Sequence, residues 1–236
     1  MPHCKITLSS NAGTALSLGQ VRMWSDALHG EKVPGFSTVS PTLWEQIKTH
    51  EAFQSPNLIF YTHCHPDHYS RDLTAQAKVR WPYAELILPE REFDDQILIS
   101  GQQDQLCLHG LSLRFRKLTH EGEQFAQVPN YGCIINDSGF RILIVGDCAV
   151  ANPQLAEFIG DTNINLALLD FPWVTLHKGR VFIEQYIRPQ HLVVYHLPFA
   201  QDDEWGYREA TARAVQQLHG IPDIRMMQDA LQQEII

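Results

Sequence analysis

At 236 residues, with 44% hydrophobic and 19% charged side chains, the chain can bury one sizeable core and is too apolar to stay disordered. A net charge of −9 without any run of Lys or Arg argues against a phosphate-neutralising face, so no nucleic-acid partner is expected. The opening Met-Pro-His-Cys-Lys lacks the apolar stretch of an export signal, and no later run would span a bilayer, which predicts a single-domain cytoplasmic protein with no membrane partner.

From Lys5 to Asp26, short β-type runs (Ile6 to Leu8, Ala15 to Leu18, Val21 to Trp24) alternate with Asn-Ala-Gly and Leu-Gly-Gln turns and predict an antiparallel meander. His29 to Ser40 is polar and holds two Gly and one Pro; a loop of this length without structure of its own reads as a functional lid. Pro41 then opens a helix through Lys48. The apolar run Leu58-Ile59-Phe60-Tyr61 predicts a strand buried on both faces. It delivers the chain to Thr62-His63-Cys64-His65-Pro66-Asp67-His68. A helix from Ser70 to Arg80 and a strand from Glu85 to Leu88 follow, and Pro89 to Ser100 fits helix and irregular structure equally.

After Gly101 the β pattern returns in Gln105 to His109, Leu111 to Leu118, Tyr131 to Ile135 and Phe140 to Val145, with Asp137-Ser138-Gly139 as a hairpin turn. Helix and strand then alternate: a helix near Pro153 to Ile159, a strand Leu166 to Leu169, a helix near Gly179 to Ile187 and a strand Leu192 to Tyr195. A last helix, Glu204 to His219, places Thr211, Ala214, Val215 and Leu218 on one stripe.

His63, His120, Asp147, Asp170 and His196 each stand at the carboxyl end of a separate expected strand, where α/β sheets present their sites, so five polar residues are expected on one rim. In an extended segment alternate side chains share a face, so His63 and His65 can turn toward one cation, and Asp67 and His68 can swing from the turn after Pro66 toward an adjacent position. Leaving three His and an Asp unpaired at a strand end would be costly, which favours metal ligation. His3, His29, His50, His109, His191 and His219 read as ordinary core or surface residues. Cys4, Cys64, Cys107, Cys133 and Cys148 are odd in number, lack zinc-ribbon spacing and read as reduced thiols, Cys64 and Cys148 as small semi-buried neighbours of the cluster.

Thr62-His63-Cys64-His65-Pro66-Asp67-His68 resembles the HxHxDH signature of the metallo-β-lactamase superfamily, and His120, Asp147 in Val-Gly-Asp and His196 in Tyr-His-Leu-Pro resemble its remaining ligands in order. The resemblance implies an α+β fold, a four-layer αββα sandwich. It also implies two divalent ions, zinc before manganese or iron. His63, His65 and His120 would hold one, Asp67, His68 and His196 the other, and Asp147 would bridge, with Asp67 and Asp147 the acidic groups of the chemistry. Two ions about 3.5–4 Å apart can share a hydroxide and polarise the group under attack. Asp26 and Asp170 are candidates to accept the outer ring N–H of ligand histidines, and Asp26 fits a turn residue equally well.

Chain length sets aside relatives with inserted or appended domains. What remains resembles the compact branch that includes L-ascorbate-6-phosphate lactonase and small phosphodiesterases, with Asp170-Phe171-Pro172-Trp173 and His196-Leu197-Pro198 similar to stretches there. That implies a small-molecule substrate, an anionic ester, lactone or phosphodiester. Trp173, His177, Lys178 and Arg180, leading into a helix whose N-terminus favours an anion, read either as substrate-binding groups or as an ordinary solvated helix start. Two alternatives stand beside hydrolysis: a mononuclear iron oxygenase resembling the superfamily's persulfide dioxygenases, and a metal-holding protein without turnover.

Overall fold

A computed structural model describes residues 4–236, and His3 lies outside them. The described residues divide into two compact units. One comprises residues 4–99, 196–205 and 227–236. It carries β1 (Lys5–Leu8), β2 (Thr14–Leu18), β3 (Val21–Ser25), α1 (Pro41–Ile47), β4 (Leu58–Phe60), α2 (Arg71–Arg80), β5 (Glu85–Leu88) and β6 (Ile97–Leu98). The other comprises residues 100–195 and 206–226. Its elements are β7 (Gln103–Leu108), β8 (Leu111–Leu118), β9 (Asn130–Asp137), β10 (Phe140–Ile144), α3 (Pro153–Ile159), β11 (Leu166–Asp170), α4 (Pro172–Thr175), α5 (His177–Phe182), β12 (His191–Tyr195), α6 (Tyr207–Val215) and β13 (Asp223–Met226). β14 (Gln233–Ile235) belongs to the first unit again.

The first unit is built on a seven-stranded sheet in the order β14-β1-β2-β3-β4-β5-β6. The expected meander forms its antiparallel part, with Gly19 at φ +57 in the tight turn between β2 and β3. β3 to β6 run parallel, and β4 is buried along its whole length, as its unbroken apolar run requires. Trp24 packs edge-on against Phe53 and Trp81, with ring centroids 5.6 and 4.9 Å away, and anchors the core of this unit. Ser40 and Ser70 cap α1 and α2 by accepting from Leu43 N (3.1 Å) and Leu73 N (3.3 Å).

The second unit has a sheet in the order β13-β12-β11-β10-β9-β8-β7. Its strands β7 to β10 are antiparallel, and β10 to β13 are parallel. Ser138 (φ +51) and Gly139 (φ +97) make the two-residue turn between β9 and β10, where both central residues need positive φ. Leu143, Ala167, Leu169, Val194, Phe158, Trp173 and Phe182 fill the core on the helix-bearing side.

Two helix expectations shift. The helix expected near Gly179 to Ile187 begins two residues earlier as α5 and ends in a π-helical turn at Ile183–Ile187, and the short α4 before it is additional. The last helix is shorter than expected because Gly206, in the left-handed region at φ +71, breaks the chain before Tyr207. Pro89 to Ser100 is irregular except for β6. Strands β13 and β14, neither with a run of apolar residues, were not expected at all. No helix among the described residues is long and apolar enough to cross a membrane.

Candidate functional site

In the first unit the site begins with a buried carboxylate. Asp26 follows β3 at φ +49, is wholly buried, and accepts hydrogen bonds from Thr62 N (2.7 Å), Thr62 Oγ1 (2.8 Å) and His68 Nδ1 (3.1 Å). These bonds set tautomers. A carboxylate only accepts, so His68 carries its proton on Nδ1 and its Nε2 holds the lone pair. Thr62 Oγ1 spends its proton on Asp26, so at 3.0 Å it accepts from His63 Nδ1–H, and His63 likewise keeps Nε2 as a donor of electrons. One carboxylate therefore orients two imidazoles, the support that metal-binding histidines ordinarily have.

The ligand-type atoms of Asp67, His68 and His196 all lie within 4.8 Å of one another, with His196 Nε2 3.6 Å from Asp67 Oδ2. The His63 ring is centred 4.0 Å from that of His68 and 4.8 Å from that of His65. His196 is itself in the left-handed region at φ +59, where its N–H donates to Asn11 O (3.0 Å) and its ring stacks on Phe36 at 4.8 Å and 7°.

The segment expected as a lid is tied down. Asn11 bonds both the carbonyl and the N–H of Ser37 (2.7 and 2.9 Å); Ser37 Oγ donates to Asp202 (2.7 Å) and accepts from Phe199 N (2.7 Å). Lys32 bridges Asp202 and the carbonyl of Phe36. His29, taken above as an ordinary histidine, is wholly buried in this region; burial, and then the neighbouring His68, push its pKa down to about 4, so it is neutral at physiological pH.

In the second unit, backbone pairing does the holding. His120 bridges Cys148, Glu121 N donates to Asp147 O (2.8 Å) and Ala149 N to Thr119 O (2.8 Å). The wholly buried Asn130 accepts from Asp147 N and donates to Val145 O, both at 3.1 Å. His120 Nδ1–H donates to Glu121 O (2.7 Å), which leaves its Nε2, 3.7 Å from Asp147 Oδ2, as the lone-pair atom. Asp170 closes β11 with a carboxylate oxygen within 4.8 Å of one of Asp147. Imidazole and carboxylate oxygen suit zinc, manganese and iron, and the fixed Nε2 lone pairs are what such an ion needs, so the donors of each unit fit a divalent cation.

No protein-family model and no curated sequence relative matches the chain. Solved structures do. The metallo-β-lactamase fold protein YhfI from Bacillus subtilis aligns over 100% of both chains with a TM-score of 0.71 at 12% identity. The chain has the metallo-β-lactamase fold. Igni18, a metallo hydrolase from the archaeon Ignicoccus hospitalis, aligns over 99% of this chain and 98% of its own at TM-score 0.67 and 17% identity. CmlA, a diiron β-hydroxylase from Streptomyces venezuelae, aligns over 100% of this chain and 54% of its own at TM-score 0.66 and 11% identity. The metallo-β-lactamase fold thus carries both hydrolytic and oxidative centres among these neighbours, and none of the three is named as a lactonase or phosphodiesterase.

Within that fold the expected substrate-binding group changes. Trp173 is wholly buried in the apolar core against Phe182, so it has no surface to offer a substrate. Arg180 spends Nη1 on the carbonyls of Val174 (2.7 Å) and Thr175 (3.0 Å), closing the end of α4. His177 and Lys178 are exposed, but α5 spans only six residues and is too short to focus a useful dipole on an anion. Cys64 and Cys148 remain thiols: burial, then nearby carboxylates, raises the pKa of Cys64, and burial raises that of Cys148. No two cysteines are bonded among the described residues. Sequence reasoning missed Asn11, Ser37 and Asn130, whose hydrogen bonds join residues distant in sequence, and the relay role of Thr62.

Proposed function

We propose that the chain is a metal-dependent hydrolase with a dinuclear centre. His63, His65 and His120 would hold one divalent ion and Asp67, His68 and His196 the other, with Asp147 shared. The observation that carries this reading is the Asp67–His68–His196 cluster together with the buried Asp26 that presets the histidine tautomers. Building that support costs the fold a buried carboxylate and left-handed residues at Asp26 and His196, strain of the kind that collects at working sites.

When bound, such ions supply Lewis acidity, bringing water toward ionisation at neutral pH and polarising the group under attack. The chain's own part is positional. Asp26 holds His63, through Thr62, and His68; Asn11 and Phe36 hold His196; Asn130 and the His120–Cys148 pairing hold Asp147. We take zinc as the working metal ahead of manganese and iron, a small molecule as the substrate, and the cytoplasm as the location. A second reading, iron-dependent oxidation, has its support in the likeness to the diiron hydroxylase.

Purified protein loaded with zinc, manganese or iron should hydrolyse at least one member of a panel of chromogenic carboxylic esters, lactones and phosphodiesters. Asp147→Asn, nearly isosteric, should cut that turnover roughly 100-fold while leaving the fold intact. Hydrolysis of nothing with any metal, or an Asp147→Asn variant as active as the parent, contradicts the reading.

A further inference from the structure

The hydrolase reading leaves open what holds the part of the substrate that does not react. In the first unit Phe36 lies flat on His196, and next to it Gly35, at φ +78, lets the Trp205 indole close down so far that a Cβ at position 35 would stand 2.1 Å from the ring. Trp205 remains 56% exposed. In the second unit Phe125, 39% exposed, leans on His120 with ring centroids 5.2 Å apart. A single exposed aromatic needs no explanation. Here, in each unit separately, an aromatic ring packs on a histidine of the ligand type; in the first unit a second ring, Trp205, is left largely in solvent beside it, and in the second the packing ring, Phe125, is itself partly exposed.

Charge narrows the ligand. The two segments that carry Phe36 and Trp205, residues 29–40 and 196–205, contain one lysine, Lys32, against four carboxylates, Glu31, Asp202, Asp203 and Glu204. Lys32 is committed to Asp202 and to the carbonyl of Phe36. These two segments therefore offer the non-reacting part of a substrate no uncommitted lysine or arginine, and Arg180, the strongest cation of the expected anion site, is occupied elsewhere.

We infer that Trp205 and Phe36 are specificity-determining residues which bind an uncharged aromatic or alkyl group of the substrate, making a neutral carboxylic ester or lactone, not a phosphorylated compound, the substrate class. The word substrate rests on the hydrolase reading; the aromatic binding surface does not. Flat apolar groups gain both area burial and ring stacking on such a wall, and a few well-placed aromatics commonly dominate recognition.

The test uses the zinc-loaded full chain and three probes of one shape, 4-nitrobenzyl alcohol, 4-nitrobenzoate and 4-nitrobenzylamine, followed by ligand-observed NMR titration. The neutral probe should bind most tightly, and Trp205→Ala should weaken it about tenfold, the size of one aromatic contact. Gly35→Ala, which pushes the indole away without deleting it, should do the same while metal content stays unchanged. In turnover, Trp205→Ala should raise KM for 4-nitrophenyl acetate about tenfold and leave kcat within about threefold. A wild-type preference for either charged probe, or equal weakening of all three by Trp205→Ala, overturns the inference. Absence of turnover on every ester would count against the hydrolase reading alone, because the titration decides the binding surface independently.

Discussion

Strand for strand the two sheets follow one plan: an antiparallel run, β14-β1-β2-β3 in one and β7-β8-β9-β10 in the other, is continued by three parallel strands. Each places a carboxylate just past the last antiparallel strand, Asp26 after β3 and Asp147 after β10. Their fates differ. Asp26 is wholly buried and spends its oxygens on Thr62 and His68, whereas the Asp147 side chain keeps 17% exposure and is located through its backbone by Asn130 and Glu121. On the proposed reading, one position in a repeated plan braces ligands in one unit and serves as a ligand in the other, depending on whether a neighbour such as Thr62-His63 is there to consume it.

The largest effect that would sharpen this contrast comes from Asp26→Ala. It leaves the His68 and Thr62 donors buried without their acceptor, and should cost roughly 3–5 kcal/mol in denaturant unfolding. Asp147→Asn should stay within about 1 kcal/mol of the parent in the same experiment. Equal losses for the two variants would break the distinction between bracing and ligating carboxylate.

Asn130→Ala should have an intermediate effect, about 1–3 kcal/mol, because two backbone groups of the Val145–Asp147 segment lose a buried partner. Its metal affinity should fall with its stability; a variant that is less stable yet binds metal as the parent does would show that Asn130 does not place Asp147.

The smallest effect concerns the tie on residues 29–40. Burial alone would raise the pKa of Asp202, but hydrogen bonds from Lys32 and Ser37 outweigh it and hold the carboxyl below its ordinary value. A depressed folded pKa means that the unfolded chain takes up the proton first. The stabilisation is therefore full above the ordinary Asp value of about 4 and fades as pH falls through the lower folded value. Both groups are partly exposed, so Asp202→Asn should lose at most about 1 kcal/mol at pH 7 and progressively less as the pH is lowered toward 2, measured by unfolding across that range. A loss that persists undiminished at pH 2 would assign the effect to packing instead.

Much of this was legible because it is local. The HxHxDH run after an unbroken apolar strand, and the placing of His120, Asp147 and His196 at strand ends, follow from patterns a few residues long, and the structure has each of them at such an end. The tautomer network was half legible: Asp26 could be suspected, but Thr62 as the relay to His63 depends on a hydroxyl proton that no spacing reveals. The knot around Ser37 joins residues far apart in sequence, Asn11 and Asp202, and leaves no periodicity to read. Trp173 misled because a tryptophan beside a strand end suggests a binding wall, while its burial is decided by α5, where Gly179 passes so close that a Cβ would stand 2.2 Å from the Trp173 carbonyl. β13 and β14 were missed for want of apolar runs; their pairing to β12 and β1 supplies what their composition does not.

The central claim is the proposal that the chain holds a pair of divalent ions. Native mass spectrometry with elemental analysis, on protein saturated with zinc and freed of excess, tests it most directly. The account predicts two ions per chain, falling to one or none in Asp147→Asn; one tightly held iron with no second site, in parent and variant alike, would contradict it.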